Sequence, residues 1–133
     1  MTNYSKLYVF LCLVIWIGGC SRGVPQIDYS VDKLTATLKD KDPNMRYWAA
    51  ESLGHFGPGA EAAVPNLAEA LKDESPMVRA GAAYALAEIG PPAEPARAAL
   101  VEAAKDSDTK LRDAALYALK RISAKAPAKS AKR

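Results

Sequence analysis

The stretch LAEALKDESPMVRAGAAYALAEIG, from Leu67 to Gly90, decides the fold because the chain repeats it. Upstream, LTATLKDKDPNMRYWAAESLGHFG from Leu34 to Gly57 aligns with it without a gap; downstream, LVEAAKDSDTKLRDAALYALKRIS from Leu100 to Ser123 does the same. The copies start at 34, 67 and 100, a constant spacing of 33. A period in this range marks stacked repeats, in which one unit cannot bury its apolar face alone and about three are needed for a stable core.

Within each copy the punctuation is that of a helical hairpin. Asp42, Ser75 and Asp108 stand where an N-cap belongs, and Pro43 and Pro76 take the first helical position after two of them. Gly57-Pro58 and Gly90-Pro91 supply the stops, while the third copy has Ser123 in the glycine's place. First helices are expected at about 31–39, 64–72 and 97–105, with Pro65 opening the middle one. The composition agrees: half the residues are apolar and aromatics make up only 8%. The apolar excess is alanine, which favours close-packed helices. The expectation is an all-α chain.

Asp73 to Gly90 nearly spells Asp-x-x-Pro-x-Val-Arg-x-x-Ala-x-x-Ala-Leu-x-x-Ile-Gly. This resembles HEAT-like repeats of the type named after phycobilisome lyases, and the resemblance covers residues 31 to about 123. It implies a short right-handed solenoid of about three hairpins, 31–63, 64–96 and 97–123, whose second helices line a concave face. It is specific for fold and poor for function, since such repeats serve in scaffolds, regulators and a few enzymes. The third copy departs from the pattern at Thr109, Lys110, Leu111 and Ser123, as a terminal capping repeat does.

The first twenty residues read as an address. Lys6 precedes the apolar run LYVFLCLVIWI, Leu7 to Ile17, which is shorter than the ~20 residues of a spanning helix. Ile17-Gly18-Gly19-Cys20 then resembles a bacterial lipobox, which implies that 1–19 is a lipoprotein signal peptide and Cys20 the lipidated first residue of the mature chain. Palmitate-type acyl chains add ~0.8 kcal/mol per buried methylene, so two or three anchor firmly. An ordinary signal peptide with an incidental cysteine, or an uncleaved anchor, is the plainer alternative; Cys12 reads as filler of the apolar run. Ser21 stands where some inner-membrane lipoproteins carry Asp, which points to the periplasmic side of an outer membrane in the cell envelope. Residues 20–30, with Gly23 and Pro25, read as a flexible tether.

The net charge of +3 is unevenly placed. Lys120, Arg121, Lys125, Lys129, Lys132 and Arg133 are six positives with no acid among them, so the rest of the chain stands at −3. No broad nucleic-acid-binding face is implied. Residues 124–133 read as a disordered basic tail, serving solubility or touching anionic polymer.

Candidate site residues fall into two sets. Asp40/Arg46, Asp73/Arg79 and Asp106/Arg112 recur in every copy, which argues for a structural ladder rather than an acid–base pair acting on substrate. On the second helices the rows Asn44/Met77/Lys110, Tyr47/Ala80/Asp113, Trp48/Gly81/Ala114, Glu51/Tyr84/Tyr117 and His55/Glu88/Arg121 face away from the expected core of Val78, Ala82, Leu86 and Ile89. Tyr47, Trp48, Met77, Tyr84 and Tyr117 are the candidate partner-binding residues, since large side chains with few torsions make good anchors. The competing reading has Tyr47 and Trp48 covering the end of the first repeat and the two later tyrosines packing over an alanine-rich groove.

His55 is the single histidine and both cysteines lie before residue 21, so no histidine or cysteine metal site is expected. Nor is a catalytic residue or a cofactor. The reading is a membrane-tethered scaffold or adaptor binding an envelope protein. A lyase or chromophore-handling enzyme by family analogy, and a structural envelope protein with a polyanion-binding tail, are the alternatives. End-to-end pairing into a homodimer is a further expectation.

Overall fold

The computed structural model describes residues 29–124. The expected signal peptide at 1–19, Cys20, most of the expected tether and the expected tail from 125 lie outside the described residues.

Six α-helices and two 3-10 helices form the described chain, with no strand among them. The α-helices are α1 (Val31–Thr37), α2 (Pro43–His55), α3 (Val64–Ala70), α4 (Pro76–Ile89), α5 (Arg97–Ala103) and α6 (Thr109–Ser123). Each odd helix packs on the even helix that follows it, and the even helices lie side by side, α2 on α4 and α4 on α6. This is an all-α solenoid of HEAT-like hairpins. None of the described helices is long and apolar enough to cross a membrane.

The starts of the second helices follow the sequence signals. Asp42 and Asp108 accept from the amides of Asn44 and Lys110 at 2.8 and 3.0 Å, and proline opens α2 and α4. Ser75 has the extended N-cap conformation but no side-chain bond into α4; its own amide is held by Asp73 instead, at 2.8 Å. Gly57 and Gly90 both have positive φ, 54° and 72°, and end their helices as expected.

The first helices are shorter than the apolar spacing suggests. Each tightens into i to i−3 bonds after seven residues, with Asp40, Asp73 and Asp106 donating their amides to Thr37, Ala70 and Ala103. The reason lies in those aspartates, whose carboxylates turn to accept the amides of Asp42, Ser75 and Asp108, each at 2.8 Å. Such local bonds compete with helix continuation.

Two elements escape the sequence reading. Gly57–Ala63 and Pro91–Ala96 are 3-10 helices rather than plain connectors, and they wedge between consecutive first helices. Prolines 58, 91, 92 and 95 set φ there and lack the N–H that a regular helix would use. Their alanines 60, 63, 93 and 96 are buried.

The core runs through all three units. Leu34, Leu53, Leu67, Leu86, Ile89, Leu100 and Leu111 are fully buried, as are Val78 and Ala82 on the expected face of α4. Each buried leucine contributes about 1.5–3 kcal/mol. Between neighbouring second helices the spacing is set by small residues: a β-carbon on Gly54 would lie 3.1 Å from the Ala85 Cα.

Candidate functional site

Two sets of side chains stand out, one binding the units to each other and one left facing outward.

Arg46 is the buried charge among the described residues, 7% exposed. Its Nη1 donates to the carbonyl oxygens of Asp40 and Lys41 in its own turn, at 2.9 and 3.1 Å, while Nε and Nη2 each donate at 2.8 Å to the Asp73 carboxylate of the next repeat. Nη2 also lies 3.3 Å from Glu74. These Asp73 bonds push the guanidinium above its ordinary pKa against the opposing effect of burial. Burial by itself would raise the Asp73 carboxyl; the bonds from Arg46 and the Ser75 amide outweigh it and hold the carboxyl below the usual range.

Arg79 repeats the motif less tightly. It donates to the Asp73 carbonyl at 3.0 Å and reaches Asp108, not Asp106, at 3.7 Å, leaving its buried Nε without a partner. Among the described residues the Arg112 side chain donates only to the Asp106 carbonyl, at 3.5 Å. The ladder therefore runs both within and between units. Within a unit, Asp40/Arg46, Asp73/Arg79 and Asp106/Arg112 meet through the aspartate's backbone oxygen, and the carboxylate contact crosses to the next unit. The aspartate side chain is already committed to its own turn, which presents its carbonyl to the arginine behind it.

The outward set lies along α2, α4 and α6. Met77, Tyr84 and Tyr117 are 42%, 51% and 41% exposed. The rings of Tyr84 and Tyr117 are tilted against each other with centroids 6.5 Å apart, and the Arg121 guanidinium stands 6.0 Å from the Tyr117 centroid. Arg121 also reaches Glu88 at 3.6 Å and the Ala87 carbonyl at 3.2 Å. Tyr47 is half-buried and lies over α4, where it shares with Tyr84 the walls of a shallow groove floored by Gly54, Gly81 and Ala85 and rimmed by Glu51, His55 and Glu88. A second groove of about 660 Å³ continues past Tyr47 to Met77 and Lys110.

Trp48 is set apart from these. It is half-buried against the core and paired with Tyr29, ring centroids 5.8 Å apart, while its row-mates Gly81 and Ala114 are buried. The structure thus joins Tyr47, Met77 and Tyr84 around one pair of grooves, sets Tyr117 against Tyr84 outside the groove walls, and places Trp48 at the N-terminal end of the described stack. Gly81 is the residue that sequence reasoning passed over. A β-carbon there would sit 2.8 Å from Tyr47 Cδ2, and the only signal was a glycine inside an otherwise strong helix. Among the described residues no group of His, Cys, Asp and Glu is placed to hold a metal ion.

No curated protein is similar enough to this chain to count as a relative. The family model for HEAT repeats matches residues 31–120, the span of the three hairpins. The chain belongs to the HEAT-repeat family.

Proposed function

We propose that this protein is an adaptor, held at a bacterial envelope membrane by lipid on Cys20, which presents the groove face of α2, α4 and α6 to a protein partner. HEAT repeats commonly serve as protein-interaction scaffolds, and the fold is generally non-enzymatic. The observation that carries the reading is the exposure of Met77, Tyr84 and Tyr117 on a face where the core is already closed by alanines 49, 50, 82, 83, 114 and 115 beneath them. Those large side chains are not needed to fill the stack. A partner suited to the grooves offers apolar or aromatic side chains for the slot between Tyr47 and Tyr84, with a cation to meet Glu51 or Glu88 at its rim.

The test is in-cell crosslinking and recovery of the full lipidated chain beside a variant carrying Met77→Ala, Tyr84→Ala and Tyr117→Ala. A defined envelope protein recovered with the first and lost with the second supports the adaptor. The same proteins recovered with both would remove the groove face from consideration. Cys20→Ser is the companion variant, expected to lose membrane retention.

A further inference from the structure

The stack builds one kind of junction twice. Between the first and second units Arg46 crosses to Asp73, and Gly81 receives the Tyr47 ring with the Ala50 Cβ beside it. Between the second and third, Arg79 crosses to Asp108. Both ends of the described stack hold halves of the same junction that no described residue matches.

At the C-terminal end Arg112 meets no carboxylate among the described residues, and the sequence has no Asp or Glu after Asp113. Leu116 is 52% exposed in the row where Ala50 and Ala83 are buried. At the N-terminal end, the Asp40 and Asp42 carboxylates accept only from their own turns, with no cation paired to them among the described residues. Met45 is exposed in the row where Val78 and Leu111 are buried, and Trp48 stands half-buried beside it.

Carried one unit further, the residue that stands to Arg112 as Asp73 stands to Arg46 belongs to the Asp40 row, and the one that stands as Asp108 to Arg79 belongs to the Asp42 row. The packing positions correspond by the same translation. Where Tyr47 and Ala50 face Gly81 inside the chain, Asp113 and Leu116 would face Trp48 of a second copy. Bulk passes from one side of the contact to the other, Tyr against Gly in the first junction and Asp against Trp in the last.

We propose that copies of this chain associate head to tail, Arg112 of one copy pairing with Asp40 and Asp42 of a second copy while Leu116 and Asp113 close over its Trp48. The half-exposed Tyr29 ring is the group this contact displaces. Because the two faces differ, the association is heterologous and open-ended unless it closes into a ring. It uses the ends of the stack and leaves the groove face of α2, α4 and α6 free, so it stands or falls independently of the adaptor reading.

The test is light-scattering mass across rising concentration, on the full chain in mild detergent. Wild type is expected to grow past the mass of two copies. Arg112→Glu, and separately Asp40→Asn with Asp42→Asn, are expected to return it to one copy; the asparagines keep the oxygen that accepts the turn amides. An equimolar mixture of the two variants retains one good end of each kind and is expected to reach two copies and stop. Leu116→Glu replaces Arg112→Glu if that variant melts below wild type. A single-copy mass for wild type up to about 1 mM, in the weak-interface range, would overturn the proposal. So would a dimer that persists in each variant alone, since that contact would lie elsewhere.

Discussion

Asp73 grips Arg46 with both carboxylate oxygens, each 2.8 Å from a guanidinium nitrogen, across the boundary between two repeats. The arginine stays charged throughout the accessible pH range, so the aspartate alone titrates. Its carboxyl is held below the ordinary range in the folded chain. A carboxyl with a depressed folded-state pKa adds stability that is full above its unfolded pKa and is lost as pH falls through the folded one. The loss therefore begins below about pH 4. Thermal unfolding followed from pH 7 to pH 2 should show the melting temperature falling in that window. Asp73→Asn should start lower at pH 7 and fall less steeply below pH 4. An unchanged slope would mean that other carboxyls carry the acid sensitivity.

The seat of Tyr47 on Gly81 gives a coupled pair. Replacing glycine by alanine inside a helix ordinarily gains about 1 kcal/mol. Here the added methyl would meet the Tyr47 ring at 2.8 Å, so the ring must leave its place over α4. Gly81→Ala should accordingly be more favourable in a Tyr47→Ala background than in wild type, by about 1 kcal/mol in urea titrations. Simple additivity would mean that the ring moves freely and the groove is not built by this contact.

Much of this architecture is legible in the residues alone, and the exceptions share a cause. Leu34, Leu67 and Leu100 announce the period, and Asp42, Pro43, Gly57 and Gly90 mark real helix ends, because caps and stops are local chemistry written in one or two side chains. The ladder is legible as a recurrence of Asp and Arg, but its wiring is not. Whether Arg46 takes the carboxylate of Asp40 or of Asp73 depends on the rise between units, which no single copy encodes. The 3-10 segments hide for a related reason: their alanines carry no periodic signal, and only the neighbouring first helices reveal that Ala60 and Ala93 are core. Trp48 reads in sequence as one aromatic among several on a face. Its different place follows from its position in the first described unit, where the Tyr29 ring packs against it.

The groove face and the core should separate cleanly in stability. Tyr84 and Tyr117 are about half exposed and their rings lie tilted against each other, so replacing both by alanine should cost about 1 kcal/mol, the order of one aromatic pair. Leu86→Ala removes a fully buried side chain where α4 is flanked by both neighbours, and should cost about 2–5 kcal/mol. Urea unfolding of the two variants side by side checks the contrast. A tyrosine variant as unstable as the leucine one would show that the face is packing rather than a free surface.

Gly90 and Gly59 present the same empty space to an added methyl group, with no heavy atom within 4 Å of either ideal Cβ, yet they should respond in opposite directions. Gly90 has φ 72° and ψ −138°, a region that L side chains rarely enter, and its amide still caps α4 by donating to the Leu86 carbonyl at 3.1 Å. An alanine there must either bear about 1–3 kcal/mol of backbone strain or rotate away and surrender the turn into Pro91. Gly59 has no such positive φ. Alanine at 59 restricts the unfolded chain without straining the folded one, and should be neutral or add up to about 1 kcal/mol. Since neither methyl meets a neighbour, the difference between the two melting curves measures backbone conformation alone. Equal effects would mean that the chain relaxes at residue 90 without cost, and that the stop between α4 and the following 3-10 turn rests on Pro91 and Pro92 rather than on the glycine.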